Sequence, residues 1–293
     1  MFYSLYCKTV ESDVSLCKFG IDKIQNPTQD IITLEFVHET KDLSDDYSNH
    51  QTSCSEKYGY YFVEGIALFE IFLGKKIVIR FFNDIDDDLV HILLNYPFAM
   101  LFNQRKQFAI HASSVIFNDK VFCFCGPTQS GKSSLVSHLL KMGGTLTSED
   151  TCIFDNHEGD LKLLPSYSFI KISDKINAFK KDSFENPITF LKKSTNRKGY
   201  IIDKSRFSSK PVLVNYFIYL HWNKGPSVLE ELSNETSLSL LLSNEFISYS
   251  RESALPRFKA AAKIISQSHH FKYTRERKLK TLDDFLNSFS ERF

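Results

Sequence analysis

Gly126-Pro127-Thr128-Gln129-Ser130-Gly131-Lys132-Ser133-Ser134 has the spacing G-x-x-x-x-G-K-[ST] of a phosphate-binding loop. Glycines allow a tight turn whose backbone N–H groups converge on one small volume, and a helix starting there adds the positive end of its dipole. In that setting Lys132 suits the outer phosphates of a nucleotide, and the Ser133 hydroxyl suits the Mg²⁺ that accompanies it. A short distance on, Glu149 and Asp150 form an adjacent acidic pair. They are either a solvated turn or the carboxylates a phosphoryl-transfer site needs near its metal and its acceptor hydroxyl. His111 lies near the start of the strand that precedes the one entering the loop.

The flanking sequence supplies elements to position these residues. Val121 to Cys125 is a short apolar run that reads as a buried strand entering the loop, with Phe108 to Phe117 as its hairpin partner across Asn118-Asp119-Lys120. Leu135, Val136, Leu139 and Leu140 recur at helical spacing until Gly143-Gly144. Thr145 to Ser148 then reads as a strand that delivers Glu149 and Asp150 at its C-terminal end, the edge where open α/β sheets bind ligands.

The remaining chain bounds the class. Its 293 residues suffice for a full core and suggest two domains, and 36 basic against 35 acidic side chains provide no bulk field for nucleic acid. None of the six cysteines forms a C-x-x-C pair, and Cys123 and Cys125 alternate onto one strand face as small apolar groups, which points to a reduced cytoplasmic protein. No signal-peptide pattern opens the chain, and its most apolar stretch, Tyr60 to Gly74, is too short to span a bilayer, so no membrane is expected.

Before the loop, Phe2 to Cys7 and Ile31 to Val37 read as strands, and 38–57 as a mobile polar loop. Three runs between Tyr58 and Phe82 form a β-meander. Asp84 to Asp88 reads as the start of a helix carrying Val90, Leu93, Leu94, Phe98 and Leu101 rather than as a metal site. After the loop, Lys180-Lys181 and Lys192 to Lys198 are either a solvated surface or a mobile segment, around Asn186-Pro187, that brings Arg197 or Lys198 to the phosphates. Val212 to His221 reads as a strand ending at Trp222, which is assigned to the core. Helices are expected at Leu238 to Phe246 and Leu255 to Ile265, a strand at Phe271 to Thr274, and a last helix capped by Thr281 with Asp283 and Asp284. His269-His270 has no metal motif.

Taken together, His111-Ala-Ser-Ser, the phosphate loop and Ser148-Glu-Asp150 resemble the HPr kinase/phosphorylase family, and the intervals between them match as well. Tyr6 to Ser15, Glu64-Gly65 and Phe102-Asn-Gln-Arg105 are more loosely similar to the HPr-kinase-like proteins of peptide-modification systems, including lasso-peptide kinases. The resemblance implies an α/β, phosphoenolpyruvate-carboxykinase-like P-loop core at 104–293 behind a β-rich N-terminal region at 1–103. It implies ATP- and Mg²⁺-dependent phosphorylation of a serine on a peptide or protein, with a homo-oligomer compatible with it. By the same resemblance Lys132 and the loop amides would hold phosphates, Ser133, Glu149 and Asp150 the metal, Asp150 with Glu149 would supply the base, and His111 would tune that carboxylate by hydrogen bonding or help place the acceptor, its alternative being an ordinary strand histidine. Glu149 departs from the family's usual pair of aspartates, and its extra methylene is enough to alter a near-attack geometry. A small-molecule alcohol kinase and a nucleotide-binding regulatory module or weak ATPase are the alternatives.

Overall fold

A computed structural model describes residues 1–41, 43–173, 185–189, 197–246, 251–276 and 285. The architecture is mixed α/β. Eight strands precede the first long helix: β1 (Phe2–Leu5), β2 (Lys8–Ser12), β3 (Asp22–Lys23), β4 (Ile31–His38), β5 (Thr52–Cys54), β6 (Tyr58–Val63), β7 (Ala67–Phe72) and β8 (Lys76–Phe81). They form one sheet in the order β3-β1-β2-β4-β8-β7-β6-β5. The pairs β2–β4 and β4–β8 are parallel, and the meander β8-β7-β6-β5 is antiparallel.

Helix α1 (Asp87–Gln104) begins where the acidic run predicts. The Asp86 carboxylate accepts the Leu89 N–H at 2.8 Å, and Asp87 and Asp88 lie in the first turn. The helix packs against both β7 and β9 (Phe108–Phe117), which explains its apolar residues on several sides. Phe69, Ile71, Ile77 and Ile79 of the first sheet share one core with Leu93, Phe98 and Phe102 of the helix and with Ala109, Ile153 and Phe169 beyond it.

The second sheet contains β9, β10 (Lys120–Cys125), β11 (Thr145–Ser148), β12 (Thr151–His157), β13 (Asp160–Leu164), β17 (Tyr216–Trp222), β18 (Val228–Glu231) and β19 (His269–Arg275). Its order is β13-β12-β9-β10-β17-β19-β18, with β10, β17 and β19 mutually parallel. Alternation sorts the central strands between two layers. Phe122, Phe124, Ile218, Leu220, Phe271 and Tyr273 meet Leu135, Leu139 and Leu140 of α2 (Lys132–Lys141). Cys123, Cys125, Phe217 and Tyr219 meet Leu241 of α3 (Asn234–Ser243) and Ala261 and Ile264 of α4 (Arg251–Gln267). A small antiparallel sheet, β14 (Phe169–Ser173), β16 (Arg197–Ile201) and β15 (Glu185–Thr189), lies over the α2 side through Ile170 and Ile172.

Several expectations need correction. Within 38–57, Leu43 is buried, Tyr47 stacks on Phe62, and β5 pairs with β6, because a few apolar anchors suffice to order a polar segment. Asn186-Pro187 lies in β15 rather than in a loop; Pro187 falls at a register irregularity, where no ladder N–H is needed. The strand expected from Val212 starts at Tyr216, after a single bridge from Val212 to Leu163. Lys180, Lys181, most of the Lys192–Lys198 run, and Thr281, Asp283 and Asp284 lie outside the described residues.

Candidate active site

A fork in β9 creates the site. Phe108 to His111 pair with β12, whereas Ser114 to Ile116 pair with β11. The chain joining β11 to β12 is Glu149-Asp150, so the acidic pair is pressed against the gap between these pairings. Asp150 takes a left-handed conformation, φ 61°, and Ser148 Oγ donates to Thr151 O at 2.6 Å, closing the turn. A non-glycine residue held at positive φ inside a buried turn is a strained feature of the kind that collects at functional sites.

Beside it, β10 ends in the loop 126–131, which carries the phosphate-loop spacing of the sequence. Gln129 and Gly131 have φ of 68° and 98°, and Ser130 N–H donates to Pro127 O at 3.0 Å. Pro127, Thr128 and Gln129 are exposed, Ser130 is buried, and Ser133 and Ser134 are half-buried in the first turn of α2. Lys132 is only 5% exposed, and its Nζ donates to the carbonyls of Gly126 at 2.8 Å and Pro127 at 3.2 Å. The lysine is thus folded back across its own loop.

The sequence-predicted residues come together here. His111 Nδ1 lies 3.0 Å from Asp150 O, so the histidine contacts the turn's backbone rather than its carboxylate. Burial, reinforced by the Lys132 charge, pushes its pKa down and favours the neutral ring. Glu149 is 1% exposed, and among the described residues neither of its oxygens has a hydrogen-bond partner of ordinary geometry. Burial and then the Asp150 charge push its carboxyl up to about 7, against the nearby Ser133 and Ser113 hydroxyls and the Lys171 charge, which pull the other way. Asp150 is the opposite case. Burial alone would raise its pKa, but the Lys171 ammonium, with His111 and His91, holds the carboxyl well below its usual range.

A buried carboxylate with no cation paired to it among the described residues, beside a loop serine, suits a hard cation. Among the described residues no three His, Cys, Asp or Glu side chains cluster as a metal cage. Mg²⁺ needs none, because it keeps waters and substrate phosphates around one or two protein oxygens. Ser133 and Glu149 therefore fit it.

Other parts of the site escaped sequence reasoning. Lys171, on β14, forms an ion pair with Asp150 Oδ2. Its only local signal is a single charge in the apolar run Phe169-Ile-Lys-Ile172. Asn244, after α3, accepts the Gly126 N–H at 2.8 Å through its side chain and the His111 N–H at 2.7 Å through its carbonyl. Arg275 is 2% exposed, donates to Ser130 O at 3.3 Å, and has its guanidinium 4.5 Å from the centre of the Trp222 ring. The tryptophan assigned to the core is therefore half-buried beneath the phosphate loop. Lys198 lies on β16, whereas the Arg197 side chain is outside the described residues. His270 is buried between Tyr219 Oη at 3.1 Å and Ser268 Oγ at 3.0 Å, a structural placement. No helix among the described residues is long and apolar enough to cross a membrane.

No protein-family model matches the chain, and neither does any curated protein. Among solved structures, the chain is similar to the HPr(Ser) kinase/phosphatase from Coxiella burnetii, with 14% identity and a TM-score of 0.34 over 62% of this chain and 90% of that one. The likeness is distant and says nothing by itself about chemistry.

Proposed function

We propose that the chain is a Mg²⁺-dependent kinase that transfers the γ-phosphoryl group of ATP to a serine hydroxyl of a peptide or protein in the cytoplasm. The proposed organisation is a β-rich region at 1–103 serving a kinase domain at 104–293. The observation that carries this reading is the buried Glu149 carboxylate, which among the described residues has no ion-pair partner and only the Ser133 and Ser113 hydroxyls beside it, next to Asp150 and to a His111 that feels the Lys132 charge. A buried carboxylate without a cation is costly, which fits a place that a bound cation completes.

In this reading Gly126 to Ser134 cradle the phosphates. Lys132 moves from the Gly126 and Pro127 carbonyls to the outer phosphate oxygens, and Ser133 with Glu149 holds the metal. Bound Mg²⁺ supplies charge neutralisation on those oxygens. Asp150 accepts the hydrogen bond of the acceptor hydroxyl and fixes its line of approach. The acceptor oxygen bonds to the γ-phosphorus as the bond to the β,γ-bridging oxygen breaks; ADP leaves, and the hydroxyl proton passes through the carboxylate to solvent. A carboxylate as acidic as Asp150 is a weak base, so its main contribution is orientation. That suits a loose transition state, which makes little demand for early proton removal. Neutral His111 braces the turn through Asp150 O.

The test is transfer from γ-labelled ATP with Mg²⁺ to serine-containing peptides, including one encoded beside the gene, and to a panel of small alcohols. Label on a peptide, reduced at least 100-fold by Lys132→Ala and by Asp150→Asn, is the expected result. Label only on a small alcohol would move the acceptor class and keep the mechanism. Nucleotide binding without transfer would make the chain a regulatory module or weak ATPase.

A further inference from the structure

The acidic pair is charged asymmetrically, and the asymmetry has a structural cause. Asp150 and Lys171 pair directly, with side chains only 11% and 14% exposed, whereas Glu149 has no ion-pair partner among the described residues and faces only the Ser133 and Ser113 hydroxyls. The lysine cannot easily turn away. Its strand neighbours Ile170 and Ile172 are buried under α2, and its backbone is registered against Gly199 of β16. At the other end, Asp150 is fixed by the left-handed turn, with His111 on its carbonyl. The Lys171 ammonium thus sits on Asp150 Oδ2, an oxygen that a metal on this carboxylate would have to share with it. A divalent ion there would displace a buried ammonium into surroundings that already hold Lys132.

Building on the kinase reading, we infer that Lys171 is a built-in second cation: it reserves Asp150 for the acceptor and confines the site to one divalent ion, held by Glu149 and Ser133. This narrows the expectation from sequence, in which both carboxylates ligate metal. Lys171 is in these terms a positioning residue, acting on the reaction through Asp150.

The number of ions separates this role from a merely structural one. Mn²⁺ binding in the presence of saturating ADP, counted by the electron paramagnetic resonance signal of the free ion, should give one Mn²⁺ per bound ADP for the unmodified protein and for Lys171→Arg. Lys171→Gln should bind two, and Lys171→Gln with Asp150→Asn should return to one. Thermal melting and the fluorescence of the sole tryptophan, Trp222, check that each variant folds and binds ADP. Two ions on the unmodified protein overturn the inference while leaving nucleotide binding intact, as does one ion on a folded Lys171→Gln. If Lys171→Gln does not fold, the counts for the unmodified protein and Lys171→Arg still decide, because two ions on either refute it. No nucleotide-dependent Mn²⁺ on the unmodified protein would overturn the kinase reading and this inference together.

Discussion

Replacing Glu149 with glutamine should stabilise the resting protein while disabling it. The carboxyl has moved from the ordinary 4.5 to about 7 because burial and then Asp150 disfavour its charge. A tenfold change in acidity corresponds to about 1.4 kcal/mol, so keeping Glu149 ionised in the folded chain costs about 3 kcal/mol. The folded state holds this proton more tightly than the unfolded state. The contribution to stability is therefore fully present below pH 4.5 and disappears as the pH rises through about 7. Glutamine has nearly the same shape and no charge. At pH 8 Glu149→Gln should unfold at a free energy about 3 kcal/mol higher than the parent, or roughly 5–10 °C in melting temperature. At pH 5 the gain should fall to about 1 kcal/mol or less. Urea unfolding of both proteins at pH 5 and pH 8 provides the comparison, and Mg²⁺-dependent nucleotide binding should be lost at both. An equal effect at the two pH values, or destabilisation at pH 8, would show that the carboxylate is satisfied in the folded protein and would refute the reasoning.

The opposite slope belongs to His270, which stacks on Phe217 at 4.8 Å and has its pKa pushed down to about 4 by burial. Its contribution is present above the ordinary 6.5 and is lost as the pH falls towards 4, by about 3 kcal/mol, so His270→Phe should remove that acid sensitivity in urea titrations. Gly131→Ala should cost about 1–3 kcal/mol in thermal unfolding and weaken nucleotide binding at least tenfold: φ is 98°, and the new Cβ would stand 2.3 Å from Arg275 Nη2, against the guanidinium that props Ser130. Asp86→Ala should cost about 1 kcal/mol through the lost helix cap at Leu89 and leave phosphoryl transfer unchanged, a control for general destabilisation.

The legible part of the site was its contiguous part. Two glycines, a lysine and a serine at fixed spacing predict a tight turn between an apolar strand and a helix, and β10, the turn at Gln129 and Gly131 and α2 follow in that order, because a single local conformation sets all three. Glu149 and Asp150 were legible for the same reason, as the link between two short strands. Their inequality was not. It depends on Lys171, which arrives from β14 in a separate small sheet and pairs with Asp150, while no described residue forms an ion pair with Glu149. Asn244 and Arg275 likewise reach the loop from far along the chain through ordinary polar side chains with no spacing to betray them. Trp222 was placed in the core on the strength of its apolar strand, but strand ends at a sheet's C-terminal edge are where ligands and loops gather. In the first sheet the meander followed from alternation, whereas the parallel pairings of β4 with β2 and β8 join segments that no turn connects. The ordering of 38–57 came from Leu43 and Tyr47, two anchors too sparse to form a pattern.

The central claim is that this volume is built for a metal-bound nucleotide. Calorimetric titration of a non-hydrolysable ATP analogue, with and without Mg²⁺, into the unmodified protein, Lys132→Ala and Glu149→Gln tests it most directly. The expected result is binding that strengthens at least tenfold with Mg²⁺, is weakened at least tenfold by Lys132→Ala, and loses its Mg²⁺ dependence in Glu149→Gln. Binding that is indifferent to Lys132, or an unmodified protein that binds no nucleotide at all, would contradict it.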